Sequence, residues 1–258
     1  MRYALLVQYD GTFLSGFQRQ KKGERTVQGE LERAAEEVFG TAIRVIGSGR
    51  TDAGVHAMGQ VCHLDGDTTI PAHKLRECFN RLLPPDIRVL KSGKAAEDFD
   101  CTRGAKKKTY VYTAYFADTE LPLLDRYAAR LCALPDLEAM KGAAELVVGE
   151  HDFKAFCAAG SSAKTSVRTI YSLDVEHSLT KNAEVFRIRV TGNGFLYNMV
   201  RILAGELIAV GCGKSAECIR RAFCTGERSL LAKTMPAKGL LLENVEYGTP
   251  IFTAAEEE

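Results

Sequence analysis

The stretch Gly47-Ser48-Gly49-Arg50-Thr51-Asp52-Ala53-Gly54-Val55-His56-Ala57, followed by Gly59-Gln60-Val61, gathers the side chains best suited to chemistry. A guanidinium, a carboxylate and an imidazole follow one another at short spacing on a glycine-rich segment. Three uses of such a segment compete. A nucleotide-phosphate loop would need a helix N-terminus facing the phosphate. The third glycine is displaced from G-x-G-x-x-G, there is no G-K-[ST], and Val55 to Leu64 does not read as a helix. A structural turn is the plainest reading, because Asp and Gly build turns on their own. A catalytic loop is the third: glycines let backbone approach a substrate closely, and irregular segments are where function tends to sit. The residues alone leave the last two open.

Basic residues form two groups. Arg19, Lys21, Lys22 and Arg25 make one, diluted by Glu24; Arg103, Lys106, Lys107 and Lys108 make another with no acid among them. Such groups track phosphates or simply solvate a face. Net charge is +1, and the terminal Glu256-Glu257-Glu258 lowers it by three, so the remainder stands at +4. Eight cysteines contain no C-x-x-C pair and read as reduced core residues. Cys62 and His63, with His56 nearby, lack a second ligand pair at usable spacing, so no metal site is expected.

These side chains need a frame. The chain has 258 residues, 46% apolar and 26% charged, which suits one large or two ordinary globular domains. No apolar run has the length of a membrane span, and the Met1-Arg2-Tyr3 opening lacks the form of a signal peptide, so a cytoplasmic protein is expected. Strands are expected over 3–9, 43–46, 60–64 and 87–95. The first helix should run from an N-cap at Thr26 to Phe39, with Val27, Leu31, Ala34, Ala35 and Val38 on one face and Gly40 ending it. A second should run from Pro71 to Leu83, stopped by Pro84-Pro85. The pattern then starts again: a tyrosine-rich strand over 109–116, a helix over 137–148, a hairpin over 168–177 and 184–190, helices over 198–210 and 216–224, and a last strand over 240–247. The expected class is α+β: two α/β lobes, 1–105 and 106–247, with mainly antiparallel sheets, separate or continuous, and an acidic tail over 248–258.

The loop also resembles something known. G-R-T-D-A-G-V-H-A-x-G-Q-V is similar to the signature of the tRNA pseudouridine synthase A family. Tyr9-Asp10-Gly11 with Gly16-Phe17-Gln18-Arg19-Gln20 resembles the opening Y-D-G…G-[WF]-Q-x-Q of that family. Thr26-Val27-Gln28, Lys108-Thr109-Tyr110-Val111-Tyr112, Gly149-Glu150-His151-Asp152-Phe153 and Gly194-Phe195-Leu196-Tyr197-Asn198-Met199-Val200-Arg201, with Gly205 beyond, follow in the family's order. Phe17 stands where many members carry Trp.

The resemblance implies an isomerase that converts uridine to pseudouridine in tRNA without metal or cofactor. Asp52 would be the catalytic carboxylate, as nucleophile or as base. Tyr110 would be the active-site tyrosine, with Tyr112 and Tyr115 as packing residues. Arg201 would pair with Asp52, and Arg50 would hold the flipped nucleotide or fill its place, while His56 braces the loop. Gln18, Arg19, Lys21 and Lys22, with Arg103, Lys106 and Lys107, would grip RNA. The catalytic loop and the Tyr110/Arg201 pair come from different halves, so a central active-site cleft between the lobes is expected. The resemblance further implies a homodimer and targets at positions 38, 39 and 40 of the anticodon stem-loop.

Overall fold

The computed structural model describes residues 1–20, 23–161 and 163–252. Along the chain lie β1 (Arg2–Tyr9), α1 (Val27–Phe39), β2 (Val45–Gly47), β3 (His56–Asp65), α2 (Leu75–Leu82), β4 (Ile87–Lys94), β5 (Ala105–Phe116), α3 (Pro122–Asp125), β6 (Ala129–Leu131), α4 (Leu137–Glu145), β7 (Gly149–Asp152), β8 (Val167–Leu179), β9 (Glu184–Gly192), α5 (Met199–Gly211), α6 (Glu217–Thr225) and β10 (Leu240–Tyr247). The fold is mixed α+β, with mostly antiparallel strand pairing. No helix among the described residues is long and apolar enough to cross a membrane.

The chain divides into two compact units, Met1–Lys106 with the segment from Leu242, and Lys107–Leu241. In the first, the strand order is β4-β1-β3-β10, with β2 also paired to β3. Tyr3 lies opposite Leu64, Leu5 opposite Cys62 and Val7 opposite Gln60. Helix α1 forms where expected because both its ends are encoded locally. The Thr26 side chain accepts from Gly29 N, and Gly40 closes the helix in the left-handed conformation. Its buried face is Val27, Leu31, Ala34 and Ala35. Helix α2 is shorter than expected: a 3-10 turn over Ala72–Lys74 precedes it, and Leu75 and Phe79 are its buried side.

Strand β3 starts at His56, four residues before the expected Gln60. It is buried at nearly every position, so it shows no in–out alternation to read. His63 and Cys101 meet inside this unit, Nδ1 to Sγ 3.1 Å. Burial lowers the His63 pKa from its usual 6.5 and pushes the Cys62 thiol up. No group of three or more His, Cys, Asp or Glu able to hold a metal occurs among the described residues.

In the second unit the order is β5-β9-β8-β7, antiparallel throughout, with β6 parallel to β5. Strands β8 and β9 form the expected hairpin, closed by Thr180 N donating to Ala183 O. Helix α5 is buried almost all round and packs on α4. Strands β6 and β7 and helix α3 are additions of three or four residues each, too short to show a period. Tyr112 and Tyr115 point to opposite faces of β5 and both are fully buried. The Tyr112 hydroxyl donates to Pro236 O at 2.9 Å; the Tyr115 hydroxyl donates to Asp125 Oδ1 and accepts from Leu121 N.

Candidate active site

Asp52 sits half-buried between β2 and β3 on a loop whose every flank is tied down. Ser48, fully buried, donates Oγ–H to Gln60 Oε1 at 2.6 Å, and Gln60 Nε2 returns a bond to Gly49 O at 2.8 Å. Thr51 Oγ1 lies 2.7 Å from the buried Tyr9 hydroxyl. Beyond Asp52, its own carbonyl accepts from Val55 N, making a tight turn. His56 Nδ1 accepts from Gly11 N at 3.0 Å, with Asp10 Oδ1 3.2 Å away. His56 thus ties the Asp52 loop to the Asp10-Gly11 turn.

The first-unit motifs converge on this loop. Phe17 N donates to Thr51 O, and Gly54 N donates to Leu14 O. The outer rim of the buried Phe17 ring lies against Gly47, where any side chain would overlap it. Gly16, at φ +91°, puts its Cα so near the loop that a Cβ would stand 2.7 Å from Thr51 O. Gln28, on the first turn of α1, accepts from Arg19 N and donates to Val45 O. The far end of this long first loop is anchored too. Arg25 makes a two-pronged pair with Asp86, at 2.8 and 2.6 Å, and reaches Glu30 as well; that pairing with Asp86 raises its pKa further. Residues scattered over the first sixty positions thus form one rigid support for Asp52.

Arg50, two residues before Asp52, is exposed and has no protein partner among the described residues. Gln18 is exposed; Arg19 is exposed and pairs with Glu32 at 3.1 Å. Lys21 and Lys22 lie outside the described residues. Arg103 is 90% exposed, 3.7 Å from Asp100, whose carboxyl is held below the usual range chiefly by the Arg103 backbone amide. Lys106 is exposed.

In the second unit, Tyr110 is buried, its ring edge-on to Phe195 at 5.2 Å. Phe195 belongs to the segment that leads into α5. Asn198 caps that helix with φ +60°, and is the one described residue other than glycine with positive φ. Its strained backbone sets its side chain where Arg201 Nη1 can donate to Oδ1 at 2.7 Å. Arg201 Nε donates to Met235 O at 2.7 Å, and Met235 N returns a bond to Arg201 O. Lys107, also in this unit, stands over the Tyr171 ring at 5.4 Å. The Gly149-to-Phe153 motif serves packing: His151 stacks on Phe223 at 4.4 Å, Phe153 is fully buried, and Asp152 Oδ1 caps Lys154 N.

Sequence reasoning singled out Asp52, Arg50, Tyr110 and Arg201 but not Tyr9, Gln60, Asn198 or the Met235 carbonyl. Tyr9, Gln60 and Asn198 stand inside the motifs quoted above without a role attached to them, and Met235 stands outside them all.

The family model described as tRNA pseudouridine synthase matches residues 5–119 and 143–248 of the chain. The chain belongs to the tRNA pseudouridine synthase family. It is therefore a member of a family of isomerases that act on tRNA. It is 42% identical to the tRNA pseudouridine synthase A of Shouchella clausii (strain KSM-K16) over 97% of this chain and 95% of that protein. It is 42% identical to that of Clostridium botulinum (strain Eklund 17B / Type B) over 94% and 98%. A tRNA pseudouridine synthase A 2 of Bacillus cereus is 39% identical over 95% and 99%. Among solved structures, the crystal structure of the archaeal box H/ACA sRNP Nop10-Cbf5 complex aligns at TM-score 0.32 and 12% identity, over 71% of this chain and 40% of that one, a likeness too slight to carry weight.

Proposed function

We propose that this tRNA pseudouridine synthase isomerises uridines 38, 39 and 40 of the anticodon stem-loop, with Asp52 as its catalytic carboxylate. The observation that carries the reading is the Asp52 loop. A half-buried carboxylate rides on a backbone fixed from Gln60, Tyr9 and Phe17, beside an exposed Arg50. Such fixing holds a reactive group in place without reorganisation at each turnover.

The reaction breaks the C1′–N1 bond, turns the uracil and joins C1′ to C5, releasing the C5 proton. It is redox-neutral and needs no metal. Asp52 starts it, either as nucleophile at C1′ or the base, or by taking the C2′ proton. The target base must first leave its stack, at about a few kcal/mol. Arg50 holds the phosphate of the flipped nucleotide or fills the gap. Tyr110 lays its ring on the uracil, and Arg201 keeps the Asp52 carboxylate ionised, since a neighbouring cation lowers a carboxylate pKa. Gln18, Arg19, Arg103, Lys106 and Lys107 grip the RNA backbone, with Lys21 and Lys22. The working form is a homodimer in the cytoplasm, which sedimentation of the purified protein checks for assembly.

The test uses unmodified tRNA transcripts tritiated at uracil C5, incubated with the protein alone. Tritium should appear in water, and the modified positions should map to the anticodon stem-loop. Release from another region would overturn the target assignment; tight tRNA binding without any release would overturn the catalytic one.

A further inference from the structure

Glu206 lies in the middle of α5, 1% exposed, one turn and a half beyond Arg201. A buried carboxylate in an apolar helix is costly unless paired. Lys214 Nζ reaches Glu206 Oε2 at 2.8 Å, and Ala232 N donates to the same oxygen at 2.6 Å. The other oxygen, Oε1, has no hydrogen-bond partner among the described residues. The pair is therefore incompletely compensated, and its position indicates what it holds.

Lys214 also donates to Leu230 O at 2.7 Å. Leu230 and Ala232 begin an irregular stretch that runs back along α5. Its Lys233 carbonyl lies against Gly205, where a side chain would collide with it. Its Met235 exchanges two hydrogen bonds with Arg201, one to the guanidinium and one from the amide. Arg228 stiffens the stretch from within, donating to Leu231 O and Thr234 Oγ1 at 3.2 Å each. Thus Glu206 and Lys214 hold one end of a strap whose other end sets the direction of the Arg201 side chain. An apolar pair at 206 and 214 would fill the same space without fixing Ala232 N or Leu230 O.

We infer that Glu206, with Lys214, is a positioning residue for the reaction: it clamps residues 230–235 on α5 so that the Met235 carbonyl aims Arg201. The inference rests on the reading of Arg201 as part of the active site. It requires that loss of the clamp slow the chemical step and leave tRNA binding alone.

The experiment compares Glu206→Gln, Arg201→Lys and the double variant in single-turnover tritium release, with tRNA affinity measured separately. Glu206→Gln should cut the saturating rate by about 10- to 100-fold, as small misplacements of a catalytic group do, with half-saturation unchanged. The amides of Ala232 and Met235 should exchange with deuterium faster. In the Arg201→Lys background the same substitution should cost less than about 3-fold, because coupled residues do not add. Equal losses in both backgrounds would mean that Glu206 acts through stability alone, and would overturn the inference. So would a full-rate Glu206→Gln beside a slow Arg201→Lys. A full-rate Arg201→Lys would instead remove Arg201 from the reaction, and with it the reading on which the inference stands. Should Glu206→Gln fold poorly, Glu206→Leu with Lys214→Met restores an apolar interior; it should fold and show the same loss of rate, and a full rate there also overturns the clamp.

Discussion

The Asp52 loop of the first unit and the start of α5 in the second are held by different kinds of force. Around Asp52 the framing bonds are neutral: Gln60 to Ser48 and Gly49, Tyr9 to Thr51, Phe17 amide to Thr51 carbonyl. Charge enters at the edge, where Asp10 faces His56 and where Arg25 pairs with Asp86 and Glu30. Around α5 the bonds are ionic or charge-assisted: Arg201 to Met235 and Asn198, Lys214 to Glu206 and Leu230. The two arginines show the contrast most simply. Arg50 projects into solvent, whereas Arg201 is half-buried and oriented by two acceptors. A neutral frame keeps its shape when salt changes. A charged frame aims one cation accurately, but removing either member strands the other. Support and the proposed reactive group are thus separable in the first region and partly the same atoms in the second.

The largest expected effect separates Asp52 from its frame. Asp52→Asn keeps size and shape, so tRNA affinity should stay near wild type while turnover falls by about 10⁴-fold or more, the scale on which loss of a nucleophile is felt. Tritium release and filter binding measure the two sides. Substantial turnover in this variant would deny Asp52 its role and leave the loop a structural turn.

Next comes the frame itself. Gln60→Leu takes one acceptor from the Ser48 hydroxyl and the side-chain donor from the Gly49 carbonyl, which should cost about 2 kcal/mol of stability. Urea unfolding gives that number directly. A loss near zero would show that the neutral frame relaxes, and the proposed difference between the two regions would collapse.

The arginines then test the contrast from both sides. Arg201→Lys keeps the charge but cannot serve two acceptors from a planar fork. It should lower kcat by about 30-fold with KM little changed. Arg50→Ala removes an exposed cation without disturbing a protein contact; it should raise KM by about 10-fold with folding intact, as expected for a phosphate contact worth a little over one kcal/mol. Steady-state kinetics on tRNA transcripts decide both. Were Arg50→Ala to lower kcat alone, and Arg201→Lys to raise KM alone, the two residues would have exchanged parts.

Much of this was legible in sequence wherever the determining contacts are local. Helix α1 carries its own caps at Thr26 and Gly40, and the hairpin of β8 and β9 carries its turn. The Asp52 segment stood out because its glycines and polar residues are contiguous. What remained hidden depends on distant partners. The start of β3 at His56 is polar and glycine-bearing, and it becomes a strand through pairing on both sides. Strand β10 returns to lie beside β3, where Gly59 admits the Glu243 carbonyl. Glu206 looked like an ordinary helical glutamate, since its partners at 214 and 232 carry no common period. Nothing in the sequence near Arg201 announces Met235.

The smallest expected effect concerns the basic residues farther out, where exposure alone does not separate grip from solvation. Lys107 already has an occupation, standing over Tyr171, which is 46% exposed. At such a site the contact is worth about 0.5–1 kcal/mol, enough to matter to the fold but not to exclude an RNA phosphate. The two uses respond differently to salt. If Lys107 meets a phosphate, Lys107→Ala should weaken tRNA binding a few-fold and lower the slope of log affinity against log salt by about one. If it only covers Tyr171, the slope should hold while stability falls slightly, and Tyr171→Leu should produce the same fall. Arg103, 90% exposed and only loosely near Asp100, has no such competing duty, so Arg103→Ala supplies the reference slope for a contact made to RNA alone. An unchanged slope in both variants would confine RNA recognition to the neighbourhood of Arg50 and the first loop, and would make that neutral-framed region the one that both reads and reacts.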